Sequence, residues 1–455
     1  MRRKLAWAVT TAVAAFALAA PGVGSATVAH ADTSVISVRC GSAALVAAMA
    51  GAGNGVTLSL APLCSYKLAA ALPGISRNLT ILGNDATIAR SFEPGTPDFT
   101  ILTVSSGADV AVRNLVFRNG GSGRSPRPPT SLGGAIENDG NLTVTGGSFT
   151  GNSAAAGGAI LNGSGRLSVR GAIFTLNSAA DGGAILNEHG GLSVENTSLT
   201  LNSAANGGAI ENDSTMTVDS STFTGNTASR LGGAIATTNY ATVTGSVFTR
   251  NKAFDAGGMF ASATVIVTDS NFRLNTAKLS GGGIFNDGSM TLTDSQIARN
   301  TATSNGGGVY NDNFGSAAVA GTTFHWNQAS IGGGMDNEDV VTLSGSQVSG
   351  NGAGVYGGGI YTDWVLSVTD SPIVYNSAAN GGGGIYNGDS FGLFGTVTLT
   401  GSTVLYNKPN DCEGCQVAQR PLTAGRPASG ARSHVWADSH GPLAQALAAL
   451  RADQH

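Results

Sequence analysis

A Gly-Gly pair returns eleven times between residues 133 and 383, at intervals of 24 to 26 residues, and this period constrains the fold more than any other feature. The first glycines fall at Gly133, Gly157, Gly182, Gly207, Gly232, Gly257, Gly281, Gly306, Gly332, Gly357 and Gly382. So tight a period means one structural unit stacked on itself.

Each copy carries two further short segments. The second reads Gly157-Gly158-Ala159-Ile160-Leu161-Asn162, then Leu167-Ser168-Val169, then Phe174-Thr175-Leu176-Asn177. Alternation of Leu167 and Val169 around Ser168 is the signature of a strand with one buried face, and it recurs as Leu142-Thr143-Val144, Met216-Thr217-Val218 and Leu366-Ser367-Val368. A propeller blade needs four strands and roughly 40 to 50 residues, and a leucine-rich repeat needs a different ladder of leucines, so neither fits this unit. The chain has 67 glycines, but they do not fall at every third position, which sets collagen aside. The pattern predicts an all-β fold, a single-stranded parallel β-helix of about 13 coils in which each coil pairs with its neighbours at about 4.8 Å.

Stacking turns repeated residue types into ladders. Asn152, Asn177, Asn202, Asn226, Asn251, Asn275, Asn300, Asn327, Asn351, Asn376 and Asn407 each follow Phe, Leu, Ile or Val by three residues. Their amides are expected to bond along the axis, and their backbones to take the left-handed conformation of a tight corner. A second row, one after the conserved Ile, reads Glu137, Leu161, Leu186, Glu211, Ala236, Ala261, Phe285, Tyr310, Asp336, Tyr361, Tyr386. Its second half is aromatic, with glycines two residues earlier, and predicts a flat, outward-facing platform at Phe285, Tyr310, Tyr361 and Tyr386. Such rings stack on sugars or anchor a protein partner.

The repeats need ends. Residues 1–31 read as a secretory signal peptide, with Arg2, Arg3 and Lys4 before an apolar run and cleavage before Asp32; Sec and twin-arginine export both remain open. Residues 32–78 read as an N-terminal cap, with Ser42 capping a short helix whose Leu45, Val46 and Met49 share one face. The β-helix proper is assigned to 79–410, with regular repeats over 133–407 and a surface loop at 121–130. A tail over 411–455 follows, in which Leu443, Leu447 and Leu450 mark a second capping helix. Four cysteines in an exported chain suggest disulfides, and proximity favours Cys40 with Cys64 and Cys412 with Cys415 among three connectivities. No later stretch is long and apolar enough for a membrane span.

Charge and chemistry narrow the function. With 24 basic and 28 acidic residues thinly spread, there is no footprint for nucleic acid or an anionic membrane. Glu137 and Glu211 lie three coils apart, about 14 Å, beyond the separations that retaining or inverting glycosidases use. Glu188, Glu195 and Asp219 have no obvious partner, and His325 has no evident carboxylate or nucleophile at its position in adjacent copies. Neither a catalytic set, a metal site nor a cofactor site is assigned; Cys412-Glu413-Gly414-Cys415 lacks the other two ligands zinc needs.

The motif Gly-Gly-Ala-Ile at 133, 157, 182, 207 and 232, with Phe-x-x-Asn at 149, 174, 223, 248, 272 and 324, resembles the polymorphic outer membrane protein repeats. The resemblance covers about 133–407 and implies a right-handed β-helix displayed at the cell surface, often adhesive. The 48 residues after Asn407 are too few for the barrel of that family's autotransported members, so free secretion or wall association is expected over outer-membrane anchoring. The leading expectation is a secreted or surface-associated, non-enzymatic protein for adhesion or polysaccharide binding. The alternative is a polysaccharide lyase or glycoside hydrolase.

Overall fold

The computed structural model describes residues 34–121, 132–390 and 393–415. The signal peptide, most of the 121–130 loop, His434, His440 and the Leu443, Leu447 and Leu450 face lie outside the described residues.

Three short strands per turn build three parallel sheets, and the chain forms the right-handed parallel β-helix that the period predicts. The first sheet has 15 strands, from Val35–Val38 to Thr396–Thr400; the second has 14, from Ser65–Leu68 to Val404–Leu405; the third has 13, from Leu102–Val104 to Cys412–Glu413. Register follows sequence type, so Leu142, Leu167, Leu192 and Met216 stand in one inward row. Phenylalanines of the second sheet stack likewise, with ring centroids 4.6 Å apart for Phe149 and Phe174 and 4.2 Å for Phe248 and Phe272. The rise of one coil thus matches the spacing of aromatic faces, and burial and sheet pairing reinforce each other.

The Gly-Gly pair meets two separate demands. Its first member bends left-handed, as at Gly182 with φ of 61°, where a side chain is strained. Its second admits no Cβ, which at Gly183 would lie 2.2 Å from the carbonyl oxygen of Gly208 in the next coil. In the sixth copy Ala256 takes the left-handed position, with φ of 61°, so Gly257 is the second member there. The row after the conserved Ile therefore passes through Phe260, paired with Phe285, while Ala261 points into the core. The sequence frame was one residue out because a Gly-Gly pair follows Ala256 immediately.

The asparagine ladder lies at the corner after the second sheet, but its left-handed residue is the one before each asparagine: Leu176, Leu201, Arg250, Leu274, Arg299, Trp326, Tyr375 and Tyr406 among them. The asparagines are turned inward and buried. Asn202 Oδ1 accepts both the backbone N–H and the Nδ2 of Asn177 at 3.0 Å, and Asn177 Nδ2 also donates to Phe149 O at 3.0 Å. This pattern repeats to Asn407, whose N–H and Nδ2 donate to Asp411 Oδ1 at 2.8 and 3.1 Å. Each buried amide is satisfied by its neighbours, which is why no other side chain substitutes.

The N-terminal helix, Ser42–Gly51, buries Leu45 and Met49 against the first coils, while Val46 remains 38% exposed, off the expected face. Gly41, with φ of 129°, holds the N-cap position; Ser42 is inside the helix, and its hydroxyl donates to Lys67 O and accepts from no helix N–H. A strand, Val35–Val38, precedes the helix and pairs with Val56–Leu60, so sheet ladders run through the stretch read as a cap. Cys40 is bonded to Cys64 and Cys412 to Cys415.

A fourth sheet of eight strands, from Ser203–Asn206 to Ser377–Ala378, is formed by the segment between each ladder asparagine and the next Gly-Gly pair. It has no counterpart in the sequence reading. Its last residues lie over the outward row of the third sheet.

Candidate ligand-binding surfaces

The row expected to form an open platform runs in register through Phe260, Phe285, Tyr310, Asp336, Tyr361 and Tyr386. It is largely covered. Phe285 and Tyr310 are each 6% exposed and pack with Phe260, Ala236, Ala256 and Leu231, the last from the fourth sheet. Phe285 and Tyr310 meet edge to face at 4.7 Å and 89°, so neither offers a free ring face. Tyr361 and Tyr386 are half-buried and stacked at 5.6 Å, and Tyr356 of the fourth sheet lies 4.3 Å from Tyr386. The flat, ring-rich surface is not formed there, because the fourth sheet folds over positions that glycine alone would have left open.

The same cover buries carboxyl groups. Asp336 is wholly buried; its Oδ2 accepts from Asn305 Nδ2 at 2.8 Å, and its Oδ1 has no hydrogen-bond partner. Burial, with Glu338 and Asp363 nearby, holds its pKa well above the carboxylate range, which keeps it protonated. Burial, together with the Asp181 and Asp213 charges, pushes Glu211 up to about 9. Burial likewise raises Asp312 to about 6; Tyr310 donates to Asp312 Oδ1 at 3.0 Å. Register keeps Glu137 and Glu211 three coils apart, so the relevant neighbour of Glu211 is Asp181, brought over by the segment before Gly182. Glu195 pairs with Arg170 of the preceding coil, and Glu188 lies 4.0 Å from its chain neighbour His189, partners the sequence reading missed although one lies a coil away and the other is adjacent.

The exposed aromatic groups stand on another face. Because the left-handed residue before each ladder asparagine throws its side chain outward, the corner becomes a ridge carrying Leu176, Leu201, Arg250, Arg299, Trp326, Tyr375 and Tyr406. Trp326, Tyr375 and Tyr406 are 54%, 65% and 67% exposed. Tyr375 and Tyr406 stack at 5.3 Å with 9° between planes. Between Trp326 and Tyr375 the ridge residue is Gly350, and a Cβ there would lie 2.8 Å from Trp326 Cδ1. The result is an open depression of 310 Å³ lined by His325, Trp326, Ser349, Gly350 and Tyr375. Trp326 and Tyr375 are two coils apart, and the Trp326 indole lies over the intervening Gly350 toward Tyr375, so the two rings border one open depression. His325 stands in register with Ala298 and Ser349, a hydroxyl neighbour that the sequence reading overlooked. Burial and the Arg299 charge lower its pKa. A second depression, of 370 Å³, is lined by polar groups including Asp139, Arg166 and His189.

Fold and ridge together define a parallel β-helix repeat protein with an exposed aromatic track. In sequence, the model of the Chlamydia polymorphic membrane protein repeat matches residues 220–238, a single copy of the array. No relative matches among curated proteins. Among solved structures the chain is similar to tailspike protein 3 of bacteriophage CBA120, at 13% identity and a TM-score of 0.41, covering 88% of this chain and 63% of that one. Among the described residues, no helix is long and apolar enough to cross a membrane.

Proposed function

We propose that this chain is a secreted or surface-displayed, non-enzymatic β-helix that binds an extended glycan along its corner ridge. The observation that carries the reading is the pair Trp326 and Tyr375, both exposed and separated by Gly350, on a scaffold whose rigidity leaves little entropy to lose on binding. His325 and Ser349 supply polar groups beside the apolar faces, the composition that sugar rings require. The half-buried Tyr361 and Tyr386, with Phe285 and Tyr310, serve the fold in this reading.

Polysaccharide binding by the intact chain, measured by affinity electrophoresis across a glycan panel, should weaken about tenfold to a hundredfold in Trp326→Ala/Tyr375→Ala, since each aromatic contact contributes roughly 0.5 to 1.5 kcal/mol. Tyr361→Ser/Tyr386→Ser should change binding little. Equal binding by the Trp326/Tyr375 variant and the parent would sink the assignment. A polysaccharide-cleaving activity is the second reading, favoured by the buried Glu211, whose pKa burial and the neighbouring Asp181 charge raise to about 9. New reducing ends or unsaturated products, lost in Glu211→Gln, would replace binding with catalysis.

A further inference from the structure

The ridge is electrostatically one-sided. Eleven seven-residue stretches, each running from four residues before a ladder asparagine to two after it, contain no Asp and no Glu, in a chain with 28 acidic residues. They contain Arg250, Lys252, Arg273, Arg299 and Lys408. Carboxyl groups stand instead on the third sheet and its flanking turn, at Asp287, Asp312, Asp336, Glu338 and Asp363, and at the corner before the second sheet, at Asp219, Asp269, Asp294 and Asp370. Net charge of −4 conceals this segregation.

The cations lie beside the exposed rings of the ridge. Arg250, Lys252, Arg273 and Arg299 are all exposed, and among the described residues none forms an ion pair. Arg299 lies 4.6 Å over the Trp326 ring, and Arg273 Nε reaches back to Thr249 Oγ1 at 3.3 Å. His325 is held toward its neutral form and adds a hydrogen-bonding ring, not a charge. From the Arg250 coil to the Tyr406 coil are six steps, about 29 Å, with cations concentrated in the first three coils and rings in the last four.

We infer that the ligand is an anionic polysaccharide, a linear polymer of acidic sugars whose carboxylate groups meet Arg250, Arg273 and Arg299 while a sugar ring packs against the exposed Trp326 and Tyr375. The proposal rests on the glycan reading above and specifies its substrate class. Guanidinium groups pair bidentately with carboxylates, and stacking on Trp326 pre-orients Arg299 for that contact. A single-stranded nucleic acid shares the charge and the rings, but its close-spaced phosphates would face only five ridge cations on an otherwise acidic molecule.

The test uses the full chain with polygalacturonate, the same polymer after reduction of its carboxyl groups, and oligo-dT, at low and high salt. Polygalacturonate should bind more tightly than its reduced form, and the difference should shrink as salt rises. Arg250→Gln/Arg273→Gln/Arg299→Gln should lower polygalacturonate affinity about tenfold and leave reduced-polymer affinity unchanged. Trp326→Ala/Tyr375→Ala should weaken both. Equal affinity for the charged and reduced polymers overturns the anionic assignment and leaves the glycan reading standing. Tighter binding of oligo-dT, or no Trp326- and Tyr375-dependent binding of either polymer, overturns both. Circular dichroism of each variant separates a lost site from a lost fold.

Discussion

Single residues in this molecule are judged by which side of a one-residue-wide wall they face. Glu211 shows the cost of facing a covered side: burial and the neighbouring Asp181 push its pKa up to about 9, and burial raises Asp255 and Asp312 to about 6. A carboxyl whose folded pKa exceeds its unfolded value of about 4 binds its proton more tightly when folded. The stability it contributes is complete below about pH 4 and is lost as pH rises through the folded value. Thermal stability should therefore fall between pH 5 and pH 9, with Asp255 and Asp312 acting at the lower end. Glu211→Gln, which removes the titrating group, should flatten the decline above about pH 6. Melting curves at pH 5, 7 and 9 check this, and an unchanged slope would assign the titration elsewhere. Glu211 was visible in the sequence as a carboxylate in a row. Its partner was not, because Asp181 reaches it only through a segment with no alternation to betray a strand.

At the scale of the element, legibility followed the number of buried faces. The Leu-Ser-Val triplets and the Phe rows each have one inward side chain per two residues, so period and composition announce them. The fourth sheet is different: Ser203–Asn206 and Thr227–Leu231 bury few side chains and are rich in Ser, Thr and Ala. With the cover unseen, Phe285 and Tyr310 looked exposed, and the ridge, whose residue type varies from copy to copy, looked like filler. Its signal was present all the same, in Trp326, Tyr375 and Tyr406 immediately before ladder asparagines. The N-terminal elements depend on a covalent tie. Cys40 and Cys64 close a loop of 24 residues around the helix, and removing such a bond costs about 3 kcal/mol. In Cys40→Ser/Cys64→Ser, hydrogen exchange in Val35–Val38 and Val56–Leu60 should accelerate about a hundredfold. Strands near Leu292, remote along the stack, should keep their protection.

Across the described coils, each contacts chiefly the two beside it, so stability is a sum of local terms, and coils are separable units. Excising residues 183–207 joins Gly182 to Gly208, two positions equivalent to those already joined in every copy. The shortened chain should fold, lose about 4.8 Å of length in small-angle scattering, and keep ridge binding. Excising only 183–194 sends every later strand to the wrong sheet, and that chain should aggregate. The asparagine ladder adds a restriction that neighbour contacts alone do not. Each amide hands its protons forward to the next coil, from Gly120 N–H donating to Asn152 Oδ1 through to Asn407 and the waiting carboxylate of Asp411. The column is a one-way chain of donors with an anion as its stop. Lengthening by duplication is therefore open at any interior coil, whereas the closing coil must travel as one piece: an array cut after Asn300 would end on two forward-pointing protons with nothing to receive them.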